Sequence, residues 1–239
     1  MKNEFINTAN TMKFNAICEE MESPRSLVGP SMALVTGAAG RGKTEAAKRY
    51  AVDGNAIFIP TKPWCSATAL LKEITFELAK VRPSRRDACE DVIADEMRKH
   101  RRLLIIDEAD LMKMDVLEIL RSINERYRCP VLFIGEDALK GRLASRRRLQ
   151  DRIRRSMEFG PVMQQDVAFY FKQNFSLNID KDVSASILRY GKGTWRRVLK
   201  FAVAVEQTMQ ASNVAEISPE MATMVIKDLE KDEHGRQNS

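Results

Sequence analysis

The sequence predicts an α/β protein: a parallel sheet with helices on both faces, followed by a small all-helical domain. Three observations carry that expectation. Short apolar runs alternate with helix-length amphipathic stretches through residues 30–160, and strands alternating with helices form a parallel sheet. Between the first run and the helix after it stands a G-x-x-x-x-G-K-T loop, residues 37–44, in the strand–loop–helix context that binds phosphate. Past Pro161 only helical patterns remain.

The elements follow in order. Residues 4–22 read as a helix, with Phe5, Met12, Ile17 and Met21 among polar residues; Ser23-Pro24-Arg25 ends it, because the residue before proline is pushed out of the αR region. Met32–Val35 is a first strand, and Glu45–Val52 a helix after the loop. Ala56–Ile59 is a second strand, closed by Pro60 and Pro63. Ala67–Lys80 and Asp87–Lys99 read as helices separated by Arg82-Pro83-Ser84. Leu103–Ile106, four aliphatic residues in a row, predicts a strand buried on both faces. A helix over about 115–126, a buried strand over Pro130–Gly135 and a strongly basic helical region over Leu139–Arg154 come next. Met157-Glu158-Phe159 reads as a last short strand. Gln165–Phe175, Lys181–Tyr190, Trp195–Met209 and Pro219–Leu229 are helical without intervening strands. The expected organisation is a nucleotide-binding α/β domain over 1–162 with a helical leader at 1–28, a helical domain over 163–232, and a disordered tail at 233–239.

Two motifs carry chemistry. In Gly37-Ala38-Ala39-Gly40-Arg41-Gly42-Lys43-Thr44 the glycines let backbone N–H groups turn inward around phosphates, and the helix N-terminus behind them adds partial positive charge. Lys43 would reach the β- and γ-phosphates of ATP, and the Thr44 hydroxyl would hold Mg²⁺. In Leu103-Leu104-Ile105-Ile106-Asp107-Glu108 the acids emerge at the carboxyl end of a strand, where open α/β sheets bind ligands. Asp107 would meet Mg²⁺, directly or through water, and Glu108 is placed to orient and deprotonate an attacking water.

Composition narrows the class. At 239 residues the chain holds one α/β domain plus a small appendage. Charged residues make up 30% of it and no apolar run approaches a membrane span of roughly 20 residues. The start lacks an apolar signal region, so the expected location is the cytosol. Cys18, Cys65, Cys89 and Cys129 are scattered and only two histidines are present, so no zinc site forms and the thiols read as reduced. The net charge of +6 suggests an anionic partner.

The phosphate loop, the strand ending Asp-Glu and the carboxyl-terminal helical domain together resemble the AAA+ ATPases. Gly193-Thr194-Trp195-Arg196 is similar to that family's sensor-2 motif, G-x-x-R, which implies that Arg196 reaches the γ-phosphate from a helical lid. Arg146, Arg147, Arg148 and Arg152 precede the last strand, where the family carries an arginine finger that completes a neighbour's site. Arg152 is the first candidate and Arg146 the second; sequence does not separate them. One position departs from the pattern. Gly135-Glu136-Asp137 follows the Val131–Ile134 strand, where the family's sensor 1 is a neutral Asn, Thr or Ser, which puts turnover rather than binding in question.

Within AAA+ the chain is similar to the transposition regulators related to phage Mu protein B, on its single ATPase module, the leader Thr11–Cys18 and the Ser145–Ile153 region ahead of Phe159-Gly160-Pro161. That resemblance implies ATP-dependent, sequence-nonspecific binding of double-stranded DNA by a ring or helical filament of this chain, and contact with a transposase. Only about 30 residues precede the first strand, so the expectation is that the amino-terminal DNA-binding domain of Mu protein B is absent or reduced. DNA contact would then fall to Lys62 and Trp64 after the second strand, to Arg82, Arg85 and Arg86, and to the arginines at 142–155. Lys and Arg contacts to phosphate give affinity without sequence preference. A helicase loader or initiator-like ATPase, or a nucleotide switch acting through a protein partner, stands as the alternative.

Overall fold

The computed structural model describes residue 2 and residues 4–237 and forms two compact units. The larger comprises Ala9–Ala38 and Lys43–Phe159; the smaller comprises Met1–Thr8, Ala39–Gly42 and Gly160–Ser239.

The larger unit is built on five strands, β1 (Met32–Thr36), β2 (Ile57–Pro60), β3 (Leu104–Asp107), β4 (Val131–Ile134) and β5 (Ile153–Glu158). They lie in the order β2-β3-β4-β1-β5, every neighbouring pair parallel. β1, β3 and β4 are buried at every position, as their largely apolar sequences require of strands covered on both faces. Its helices are α1 (Ala9–Glu22), α2 (Lys43–Asp53), α3 (Ala67–Ala79), α4 (Arg86–Lys99), α5 (Met114–Tyr127), α6 (Ala138–Ala144) and α7 (Arg147–Gln150). Thr11, Phe14, Cys18 and Met21 form the buried stripe of α1, with Met12 outside it. Val116, Leu117, Leu120 and Ile123 do the same on α5. Asn124, next on that face, is also buried, and its Nδ2 donates to Ser31 O, Ser31 Oγ and Cys129 O, tying α5 to the strand entrances.

Two expectations are corrected. The helical leader begins at Ala9, not at residue 4: Glu4 instead makes reciprocal hydrogen bonds with Asn174, its N–H donating to Oδ1 at 2.8 Å and its carbonyl accepting from Nδ2 at 3.2 Å. The basic region over 139–154 is not one helix. It breaks at Ser145-Arg146 and turns into β5 at Ile153, four residues before the expected strand. β5 is an edge strand, half open to solvent, so its charged Arg154 and Arg155 gave no apolar signal.

The smaller unit contains α8 (Gln164–Phe175), α9 (Lys181–Gly191), α10 (Trp195–Ser212) and α11 (Pro219–Gln237). Val167, Phe171, Val183, Ile187, Val198, Phe201 and Val205 fill its core. Of the tail expected at 233–239, residues 233–237 lie in α11, and 238–239 are outside the described residues. Among the described residues no helix is long and apolar enough to cross a membrane, and Cys18, Cys65, Cys89 and Cys129 are all free thiols.

Candidate nucleotide site

β1 ends where the phosphate loop begins. Phe159 N–H donates to Thr36 O at 2.7 Å, and a Cβ on Gly37 would stand 2.6 Å from Phe159 O, so only glycine fits there. Gly40 and Gly42 take φ of +76° and +100°, conformations that glycine adopts without penalty and that turn peptide N–H groups into a concavity suited to an anion. Lys43 opens α2 and is buried, its Nζ donating to Gly37 O at 2.6 Å and Ala38 O at 3.0 Å. The ammonium is thus folded over its own loop. Ala39–Gly42 cluster with the helical unit, where Trp195 N–H donates to Gly40 O at 2.8 Å.

The next residue, Thr44, donates from Oγ1 to Asp107 Oδ2 at 2.8 Å. β1 and β3 are separated in the sheet by β4, so this bond spans the carboxyl end of β4. Asp107 is 4% exposed. Burial pushes its carboxyl above the usual range, opposed by the Thr44 hydroxyl, the Glu108 N–H and the charge of Lys43. A hydroxyl and a carboxylate, both oxygen donors, fit Mg²⁺, which takes one or two protein ligands beside phosphate and water. Among the described residues no group of three or more His, Cys, Asp or Glu could hold a metal on its own.

Glu108 is exposed and has φ +55°, in the left-handed region, a strain that surrounding contacts must hold. Thr61, just past β2 and buried, supplies them. Its N–H donates to Asp107 O at 3.1 Å, and its hydroxyl stands 2.7 and 2.9 Å from the carbonyl oxygens of Asp107 and Glu108. Sequence reasoning missed Thr61, because a threonine behind a proline carries no motif. It also missed Asp110, whose Oδ1 accepts from Glu136 N–H at 3.1 Å, and it read Arg142 among the DNA contacts, whereas that guanidinium donates to the carbonyls of Asp110 and Met112.

The arginines sort by what they touch. Arg152 is bound to Glu125 of the same chain at 2.7 Å. Arg154 caps carbonyls, Pro30 O at 2.6 Å among them, and Arg155 pairs with Glu20 at 2.7 Å. Arg147 is 3.7 Å from Asp151. Among the described residues Arg146 and Arg148 are exposed without a side-chain partner. In the helical unit Arg197 is held by Tyr190 O and Glu233 and lies over the Tyr190 ring. Arg196 is exposed without such a partner, its Cβ 3.5 Å from where a Cβ on Gly40 would stand.

The remaining basic candidates divide likewise. Arg82 pairs with Glu73 and lies over Phe76, Arg85 pairs with Asp87, and Arg86 with Glu90. Arg101 caps the α1 carbonyls and Ser26. Lys62 is exposed without a side-chain partner, and Trp64, two residues on, is 79% exposed.

Residues 27–143, from the segment before β1 into α6, match the family model described as AAA domain. That segment, just under half of the chain, is similar to the AAA domain. Its resemblance to phage Mu protein B is direct: the ATP-dependent target DNA activator B of Escherichia phage Mu is 32% identical over 142 residues, covering 52% of this chain and 46% of that protein. The Mu-like prophage FluMu DNA transposition protein B of Haemophilus influenzae is 29% identical over 142 residues, covering 58% and 48%. A potential ATP-binding protein of Staphylococcus aureus is 26% identical over 138 residues, covering 53% and 50%. The chain spans about half the length of the curated relatives it matches. Among solved structures, the Thermotoga maritima RuvB Holliday junction branch migration motor aligns with a TM-score of 0.66 at 19% identity, covering 94% of this chain and 70% of that one. The Aeropyrum pernix ORC2 protein aligns at 0.69 and 13%, covering 95% and 69%. The fold is that of the P-loop AAA+ ATPases, with an all-helical carboxyl-terminal region.

Proposed function

We propose that this protein is an ATPase that binds double-stranded DNA without sequence preference when loaded with ATP. It oligomerises on that DNA as a ring or filament and activates a transposase in the bacterial cytosol. The observation that carries the ATPase part is the Thr44–Asp107 pair beneath the phosphate loop; the transposition part rests on the likeness to Mu protein B.

In this reading the domain division is an α/β nucleotide domain and a helical lid. Loop N–H groups and Lys43 bind the phosphates, the ammonium exchanging the Gly37 and Ala38 carbonyls for phosphate oxygens. Thr44 and Asp107 would hold Mg²⁺, which would supply charge neutralisation for the phosphates. Glu108 orients the attacking water and takes its proton. Arg196 meets the nucleotide from the lid.

Arg146 is the better finger candidate, since Arg152 would first have to leave Glu125. Lys62 and Trp64 offer a cation and an open ring for DNA contact. Arg82, Arg85 and Arg86 have their charges matched within the chain. That matching favours the second reading, a loader or switch directed at a protein.

The test is anisotropy of a labelled duplex of arbitrary sequence with ATP, ADP or no nucleotide, at two salt concentrations. Binding that requires ATP and weakens steeply with salt supports the proposal. No binding under any nucleotide favours the protein-directed reading.

A further inference from the structure

Gly135, the residue that follows β4, has no room for a side chain. A Cβ built on it would lie 2.4 Å from Asp110 Oδ1 and 2.8 Å from Leu139 Cδ2. Leu139 is the far end of a flexible side chain. Asp110 Oδ1 also ends a side chain but is held in place: it accepts from Glu136 N–H at 3.1 Å, and the Asp110 carbonyl accepts from Arg142. The carboxylate of one segment therefore fills the place that a side chain on the next strand's end would take. Gly135 N–H is in turn anchored to Val35 O of β1 at 3.1 Å.

Asp110 lies two residues beyond Glu108, on the single helical turn Ala109–Leu111. That turn starts from the left-handed Glu108, and Leu111 N–H donates back to Glu108 O at 3.0 Å. Thr61 holds its start, through the carbonyls of Asp107 and Glu108. Arg142 holds its end, through the carbonyls of Asp110 and Met112. Asp110 links it by side chain to the carboxyl end of β4, the strand end that the Thr44–Asp107 bond spans.

We infer that Asp110 is a positioning residue for hydrolysis, its carboxylate standing in for the side chain that residue 135 lacks and locking the Glu108 turn to the end of β4. The inference rests on the ATPase reading above. Asp110 needs no proton transfer for this role; it acts as an acceptor. An exposed carboxylate on a strained turn loses orientation when the turn loosens, and misplacement lowers turnover more than binding.

The test is a set of steady-state ATPase measurements with nucleotide affinity measured in parallel, on wild type, Asp110→Asn, Asp110→Ala, Gly135→Ala and the double variant. The amide retains an acceptor oxygen, so Asp110→Asn keeps most of the rate. Asp110→Ala lowers kcat about tenfold or more with KM for ATP little changed. Gly135→Ala displaces the carboxylate and lowers kcat similarly. In the Asp110→Ala background Gly135→Ala adds no further loss, because the carboxylate it would displace is gone. Wild-type rates in both single alanine variants, additive losses, or a fall in ATP affinity that accounts for the whole effect overturn the inference. Absence of turnover in the wild type alone overturns the ATPase reading instead.

Discussion

Thr44 Oγ1 and Asp107 Oδ2 meet at 2.8 Å although β1, which leads into the loop before Thr44, and β3, which ends at Asp107, are not neighbours in the sheet. The bond joins the start of α2 to the last residue of β3, and so sets a hydroxyl and a carboxylate side by side at the strand ends. Neither residue adds to the packed core by this contact. Its consequence is a buried carboxylate that a cation would stabilise.

That burial makes a pH-dependent prediction. The folded-state pKa of Asp107 lies above its unfolded value because desolvation disfavours the charged form. Its ionisation therefore costs stability above the folded pKa, and the cost vanishes as pH falls below the ordinary carboxylate range. Asp107→Asn should raise the metal-free, nucleotide-free Tm at pH 7, with the gain shrinking toward pH 3. The same variant should lose Mg²⁺-dependent nucleotide binding. Calorimetry against pH measures the first and titration calorimetry the second; a lower Tm for the variant at pH 7 contradicts the desolvation account.

Glu108→Gln should leave ATP affinity within a few-fold of wild type while reducing turnover by about 10²–10⁴, the usual contribution of a positioned base. Lys43→Ala should instead weaken ATP binding itself by about tenfold or more, through loss of a charge-assisted contact. Parallel nucleotide titration and phosphate-release assays separate the two. Equal losses of affinity in both variants would remove Glu108 from the base role.

Arg146→Ala should fold and bind ATP normally yet turn over slowly, by about 10²-fold or more if it is the finger supplied to a neighbour. Arg152→Ala should mainly break an exposed pair with Glu125, at a cost below about 1 kcal/mol. Mixing Arg146→Ala with Lys43→Ala distinguishes a residue acting across subunits, since mixed assemblies regain sites that combine an intact loop with an intact arginine. No recovery on mixing, together with slow Arg152→Ala, would return the finger role to Arg152.

Much of this was legible in the sequence, for physical reasons. The β3 and β4 strands are buried on both faces and lie within apolar runs, and α3, α4 and α5 end within one residue of the expected 80, 99 and 126. Lys43, Thr44 and Asp107 declare themselves because spacing alone brings them to the strand ends. Thr61, Asp110 and Arg142 do not, since each acts by touching backbone from a distant segment. Spacing also overstated the basic clusters: Arg85, Arg142, Arg154 and Arg155 look alike in sequence but are bound to carboxylates or carbonyls of their own chain.

The most direct measurement is negative-stain microscopy of the protein with duplex DNA of arbitrary sequence at low salt, in ATP, in ADP and without nucleotide. The account predicts ordered assemblies along the DNA in ATP alone, lost in Lys43→Ala. Assemblies that form equally in all three conditions, or that persist in Lys43→Ala, would contradict it.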